Sequence, residues 1–174
     1  PSTMVQDVFE VSKAASGELP LRLERLDLNK LLRQTLADMD EAVRESGLTF
    51  RVRLPDYPVW LMADGDRLYR VFQNLIQNAL QYSLEGSRVY LTLASGAGKA
   101  RVAVKNTSRS ELPAGVDFTE RFTRGDKSRT DGGSGLGLAI ASSFAAACGG
   151  TLQVETDADL FTVEVSFPVL PPEA

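Results

Sequence analysis

Two asparagines four positions apart, Asn74 and Asn78, and a glycine-dense run ending at Gly137 are the parts of this sequence whose residue types and spacing could do chemistry. Four positions on a helix place the two asparagines one turn above each other on the same face. Asn is a modest helix former that favours caps and turns, so a pair of them among Leu68, Val71, Phe72, Leu75, Ile76, Ala79 and Leu80 needs a reason beyond helix formation. An amide oxygen is a hard, neutral donor suited to Mg2+, which keeps several waters and completes its shell from nucleotide phosphates. The plainer alternative is a pair of amides capping nearby backbone groups.

The run Gly132-Gly133-Ser134-Gly135-Leu136-Gly137 leads directly into an apolar, glycine-free stretch from Leu138 to Cys148. Glycine lets the backbone approach a ligand closely, and the first N–H groups of a helix are unpaired at the positive end of its dipole. Together they suit phosphate. A Walker loop would need Gly-x-x-x-x-Gly-Lys followed by Ser or Thr, and the dinucleotide fingerprint would need Gly-x-Gly-x-x-Gly after a strand. Neither is present. Ahead of the run, Thr119 to Arg129 carries Arg121, Arg124, Lys127 and Arg129 with one aromatic, Phe122. A solvated charged loop is the ordinary reading of such a segment taken alone.

The elements that must position these groups follow from periodicity. Leu21, Leu23, Leu26 and Leu28 alternate as in a short strand, and Asp27 or Asn29 is placed to cap a helix running to Gly47. Leu48–Leu54 and Val59–Met62 read as strands, and Asp64 or Asp66 starts the long helix that holds Asn74 and Asn78. Arg88–Ser95 and Ala100–Asn106 alternate around Gly96-Ala97-Gly98, a hairpin, and Gly149-Gly150 leads into a second hairpin, Thr151–Glu155 with Leu160–Phe167. The irregular stretch from Thr107 to Ser134 is longer than a compact domain tolerates unless the loop is functional.

At 174 residues and 43% hydrophobic, the chain suits one domain with at most a short appendage. A net charge of −4 argues against a broad nucleic-acid footprint, so no nucleic-acid partner is expected. Histidine is absent, which removes Ser-His-Asp and Cys-His nucleophile arrangements. The single cysteine, Cys148, excludes an internal disulfide and is expected to be inert core in a reducing compartment. No apolar run approaches the ~20 residues of a membrane span, and the expectation is a soluble, cytoplasmic piece of a protein that is free to be membrane-anchored elsewhere.

Read together, Gln73-Asn74-Leu75-Ile76-Gln77-Asn78-Ala79-Leu80-Gln81-Tyr82-Ser83 and Gly133-Ser134-Gly135-Leu136-Gly137-Leu138-Ala139-Ile140-Ala141 resemble the N box and second glycine box of the catalytic, ATP-binding domain of sensor histidine kinases. Gyrase-type and mismatch-repair ATPases are more distant kin. Phe118 to Arg124 is similar to the intervening F box, and the resemblance covers about Leu26 to Val169. It implies an α/β fold, a two-layer sandwich with a mixed, mostly antiparallel sheet of about five strands covered on one face by three helices. Residues 1–20 resemble the C-terminal end of the dimerisation and phosphoacceptor helix with its linker, 21–170 the catalytic domain, and 171–174 a tail.

The resemblance implies ATP and Mg2+ as cofactors. Asn78 would ligate the ion with Asn74 beside it, and Asn74 and Arg124 would serve catalysis, the arginine facing the γ-phosphate. Tyr82 and Asn106 would flank the adenine. Arg121 and Lys127 would help bind the nucleotide, the backbone of Gly133, Gly135 and Gly137 would hold the phosphates, and Leu136 and Leu138 would help seal the pocket. Implied partners are an upstream domain bearing the acceptor histidine, a response regulator, and a second copy in the full-length dimer, this piece alone being free to be a monomer. Two departures stand out. Asn106 and Ser108 occupy the Asp and first Gly slots of the family's first glycine box, and Gln81 stands where many members have Lys. An Asn accepts the adenine bond without charge, so a weaker or altered base contact is expected, and a degenerate, non-catalytic module of the same fold is the alternative. A stand-alone ATPase would need a Glu base where Asn74 stands.

Overall fold

The computed structural model describes residues 9–10, 12–13, 17, 20–112 and 137–171. Its centre is a five-stranded sheet in the order β2-β4-β5-β7-β6. The strands are β2 (Thr49–Arg53), β4 (Arg88–Gly96), β5 (Lys99–Thr107), β6 (Thr151–Asp157) and β7 (Leu160–Pro168). β2 runs parallel to β4, and every other pairing is antiparallel. Period-two alternation sends Val89, Leu91, Leu93, Ala100, Val102, Val104, Phe161, Val163, Val165 and Phe167 into the core, and leaves Tyr90, Arg101, Lys105 and Glu155 on the open face.

The helices are α1 (Leu28–Asp38), α2 (Asp40–Ser46), α3 (Gly65–Tyr82) and α4 (Gly137–Ala147); α1, α3 and α4 cover the inner face, while α2 follows α1 and buries no residue. α3 is the crossover that a parallel β2–β4 pair requires. It starts at Asp64, whose Oδ1 accepts from the N–H of Asp66 at 3.0 Å and Arg67 at 3.2 Å, while Oδ2 accepts from Arg22 N at 2.9 Å. Leu68, Val71, Phe72, Leu75, Ile76 and Ala79 form its buried stripe. α4 is apolar nearly all round, with Leu138, Ala139, Ile140, Ala141, Phe144 and Ala145 buried, as suits a helix packed against both α3 and β6.

The helix expected to run from Asp27 or Asn29 to Gly47 is two. Met39 leaves helical geometry, with φ −101° and ψ 8°, and α2 begins immediately after it. Asp40 and Glu41 sit in the first turn of α2, where the positive end of a helix dipole favours them. The sandwich, its mixed sheet and its one covered face otherwise match the expectation. Outside the main sheet, β1 (Glu24–Asp27) and β3 (Trp60–Ala63) form a separate antiparallel pair. Asp27 ties this pair to α1, its Oδ1 accepting from Asn29 N and Val59 N, both at 3.0 Å.

α4 leaves toward β6 through Gly149, at φ 82°, and Gly150. A Cβ on Gly150 would lie 2.5 Å from the Phe167 ring and 2.6 Å from the Ser166 carbonyl oxygen, so only glycine fits. At the other end of the chain, residues 9, 10, 12 and 13 are helical, and Glu10 Oε2 lies 3.2 Å from Arg67 Nη2 in a largely buried ion pair. The Arg67 guanidinium also lies 5.6 Å from the centre of the Phe144 ring.

Candidate functional site

α3 carries the first group of candidate residues because its buried stripe fixes which way each turn faces. Asn74 is 8% exposed, and its Nδ2 donates to the Arg70 carbonyl at 2.7 Å. With the nitrogen engaged by its own helix, Oδ1 is the end left for other work. A Cβ built on Gly137 would lie 3.5 Å from that oxygen, so the first residue of α4 stands against Asn74. Asn78, one turn on, is half-buried, and among the described residues its side chain makes no hydrogen bond. Tyr82, two turns after Asn74, ends the helix and is half-buried.

β5 supplies Asn106, 3% exposed and paired across the sheet with Val89 and Phe161. The end of this strand is fastened to the end of α3. Leu84 N donates to Thr107 O at 2.7 Å, Arg109 N donates to Tyr82 O at 3.1 Å, and Ser83 and Ser108 form an isolated bridge. The Arg109 guanidinium donates to the Gln81 carbonyl, and Ser108 N donates to Asp159 O at 2.7 Å. Asn106 and Tyr82 therefore belong to one end of an elongated site. Asn74 and Gly137 belong to the other, about 12 Å along the helix at 1.5 Å per residue.

Six of the expected site residues, Arg121, Arg124, Lys127, Gly133, Gly135 and Leu136, lie outside the described residues. Of the others, Asn74 and Gly137 are brought together, Asn78 and Tyr82 share the helix, Asn106 faces inward from β5, and Leu138 is buried at 7% exposure. Arg109 was not among the expected residues. Its cation donates to the Gln81 carbonyl at the negative end of α3, a placement that a charge directly after an alternating strand could have suggested.

Among the described residues, two side chains have displaced proton equilibria. Burial pushes the Cys148 thiol up, opposed in part by a hydrogen bond from the Asp64 backbone. The Tyr69 hydroxyl is raised by desolvation and by its 2.9 Å hydrogen bond to Asp38. Neither belongs to the site, whose described polar groups are uncharged amides and hydroxyls apart from Arg109.

The chain is similar to known proteins over most of its length. The family described as histidine kinase-, DNA gyrase B- and HSP90-like ATPase matches residues 63–171. Sensor histidine kinase YcbM of Bacillus subtilis is 26% identical over 156 residues, covering 88% of this chain and 50% of YcbM. Signal transduction histidine-protein kinase BaeS of Escherichia coli is 31% identical over 156 residues, covering 86% of this chain and 32% of BaeS. The chain thus spans half or less of the length of these relatives. Full-length ShkA, solved in complex with AMPPNP, superposes with a TM-score of 0.81 at 27% identity, over 99% of this chain and 36% of ShkA. With residues 63–171 matched, the chain belongs to the histidine kinase-, DNA gyrase B- and HSP90-like ATPase family.

Proposed function

We propose that this chain is the ATP-binding catalytic domain of a two-component sensor histidine kinase, delivering the γ-phosphoryl group of ATP to a histidine on a separate dimerisation domain. The observation that carries this reading is the meeting of Asn74 with Gly137, because it joins the amide-bearing face of α3 to the end of the glycine run. The AMPPNP bound by the similar ShkA supports it, as do the kinase names of the relatives.

Mg2+ would rest on the amide oxygens of Asn78 and Asn74, and the fit is supported by Asn74, whose nitrogen is held by Arg70 O and whose oxygen is not. When bound, the ion would neutralise phosphate charge. The backbone of Gly133, Gly135 and Gly137 would hold the phosphates, Arg121 and Lys127 would help bind the nucleotide, Leu136 would help seal the pocket, and Arg124 would face the γ-phosphate. Tyr82 and Asn106 would take the base, and Leu138 would close the pocket wall. Phosphoryl transfer asks chiefly for positioning and charge neutralisation, which such a set supplies. An amide cannot take a proton from water, so Asn74 disfavours hydrolysis as the main reaction.

The chain has no histidine, so the acceptor would come from elsewhere in the full-length dimer, and a response regulator would receive the phosphoryl group. In this reading residues 1–20 end the dimerisation helix, 21–170 form the catalytic domain, 171–174 are a tail, and the whole works in the cytoplasm. One observation favours a second reading, a non-catalytic module: Ser108, in a slot where glycine is expected, is buried and bound to its neighbours. Titration with Mg2+ and ATP decides. Saturable binding, followed by label transfer from γ-labelled ATP to an added histidine-bearing hairpin, is expected; no binding at millimolar nucleotide would remove the kinase.

A further inference from the structure

Asn106 is 3% exposed, yet among the described residues its amide has no hydrogen-bond partner. It is the last inward-facing residue of β5, continuing the row Ala100, Val102 and Val104, and its cross-strand neighbours Val89 and Phe161 are buried and apolar. Among the described residues the only fully buried side-chain nitrogen or oxygen without a partner is Arg67 Nε, so the Asn106 amide keeps an accessible side at the end of the strand, where an incoming group can pair with it. The hydrogen bonds from Leu84 N to Thr107 O and from Arg109 N to Tyr82 O hold this strand end at the end of α3, beside the site.

An amide offers an acceptor, Oδ1, beside a donor, Nδ2–H, and a half-turn of the side chain exchanges them. The edge of a 6-aminopurine presents the N6–H donor next to the N1 acceptor. A 6-oxopurine presents the reverse, the O6 acceptor next to the N1–H donor. Each edge is matched by one of the two amide orientations, and no neighbour bonds to Asn106 to fix which one it takes. A site rejects an analogue strongly only when its buried polar groups are left unpaired by it, and a group that turns over leaves none unpaired.

We propose that Asn106 reads the base of the bound nucleotide and, by turning over, accepts 6-oxopurine nucleotides alongside adenine. The ligand class is then purine nucleotides, not adenine nucleotides alone. This inference rests on the nucleotide-binding reading above and adds the determinant of its base preference. Hypoxanthine is the clean probe, since it lacks the extra 2-amino group of guanine.

The test is calorimetric titration of the 174-residue chain with ADP and with IDP in the presence of Mg2+, repeated on Asn106→Leu. Leu keeps the shape of the amide without its hydrogen bonds and suits an inner face otherwise built of Ala and Val. The expected result is that ADP and IDP bind within about tenfold of each other, and that Asn106→Leu weakens both by a similar factor of about ten. A preference for ADP of about a hundredfold or more in the unaltered chain overturns the proposal. So does an Asn106→Leu variant that binds both nucleotides as before. If that variant does not fold, the comparison of ADP with IDP on the unaltered chain still decides. Binding of ADP without IDP sinks base tolerance alone, whereas binding of neither also removes the nucleotide-binding function.

Discussion

Asn74 and Gly137 meet where α3 and α4 pack, with 3.5 Å between the amide oxygen and the position a Cβ would take on the glycine. That spacing is ordinary van der Waals contact, so a methyl is admissible at Gly137 and a branched side chain is not. Gly137→Ala should bind Mg2+–ATP within about threefold of the unaltered chain, while Gly137→Val should lose about tenfold or more with its circular dichroism preserved. Equal binding by both variants would show that nothing approaches the Asn74 oxygen.

Asn78 is the half-buried amide on the site face of α3 with no hydrogen bond of its own among the described residues. Asn78→Ala should abolish the Mg2+-dependent part of nucleotide affinity and leave thermal stability nearly unchanged, because no internal bond is lost. Calorimetric titrations with and without Mg2+ give the difference directly. Retention of the full metal effect would move the ion elsewhere.

Gly150→Ala should be among the most destabilising single-methyl substitutions in the chain. The added carbon would stand 2.5 Å from the Phe167 ring and 2.6 Å from the backbone oxygen of Ser166, and backbone has no rotamer with which to yield. A loss of about 1–3 kcal/mol is expected, read from urea unfolding, and a neutral result would mean that β7 can shift as a unit.

Cys148 is held neutral by burial. In the unfolded chain the thiol ionises near its ordinary value of about 8.5, whereas in the folded chain it stays protonated to higher pH. The unfolded state therefore binds fewer protons above that value, and this residue lowers stability as the pH climbs past it. Cys148→Ala should flatten the alkaline fall in stability, and the native thiol should react with an aromatic disulfide reagent far more slowly than in urea. Rapid labelling of folded protein would contradict its burial.

Much of the fold was legible because each element carried its own local signal. Asp64 caps α3 as its position before an apolar stripe predicts, and the Ala97–Gly98 turn joins β4 to β5 where alternation breaks. The division at Met39 was not legible, since apolar spacing continues across it and only Asp40 and Glu41 hint at a new start. In the site, the helical spacing of Asn74 and Asn78 was sufficient to place them. The fastening of Arg109 to Gln81 and Tyr82 was not, because it depends on two backbone carbonyls whose direction no side-chain pattern encodes. The expectations for Arg121, Arg124 and Lys127 still rest on resemblance alone.

The Glu10 carboxylate grips Arg67 in the opening turn of the same helix that presents Asn74 two turns later. Helical rods transmit displacement with little compliance over such a distance. A tug or twist applied to the N-terminal segment would thus reach the amide row along a single stiff lever, without having to deform the sheet behind it.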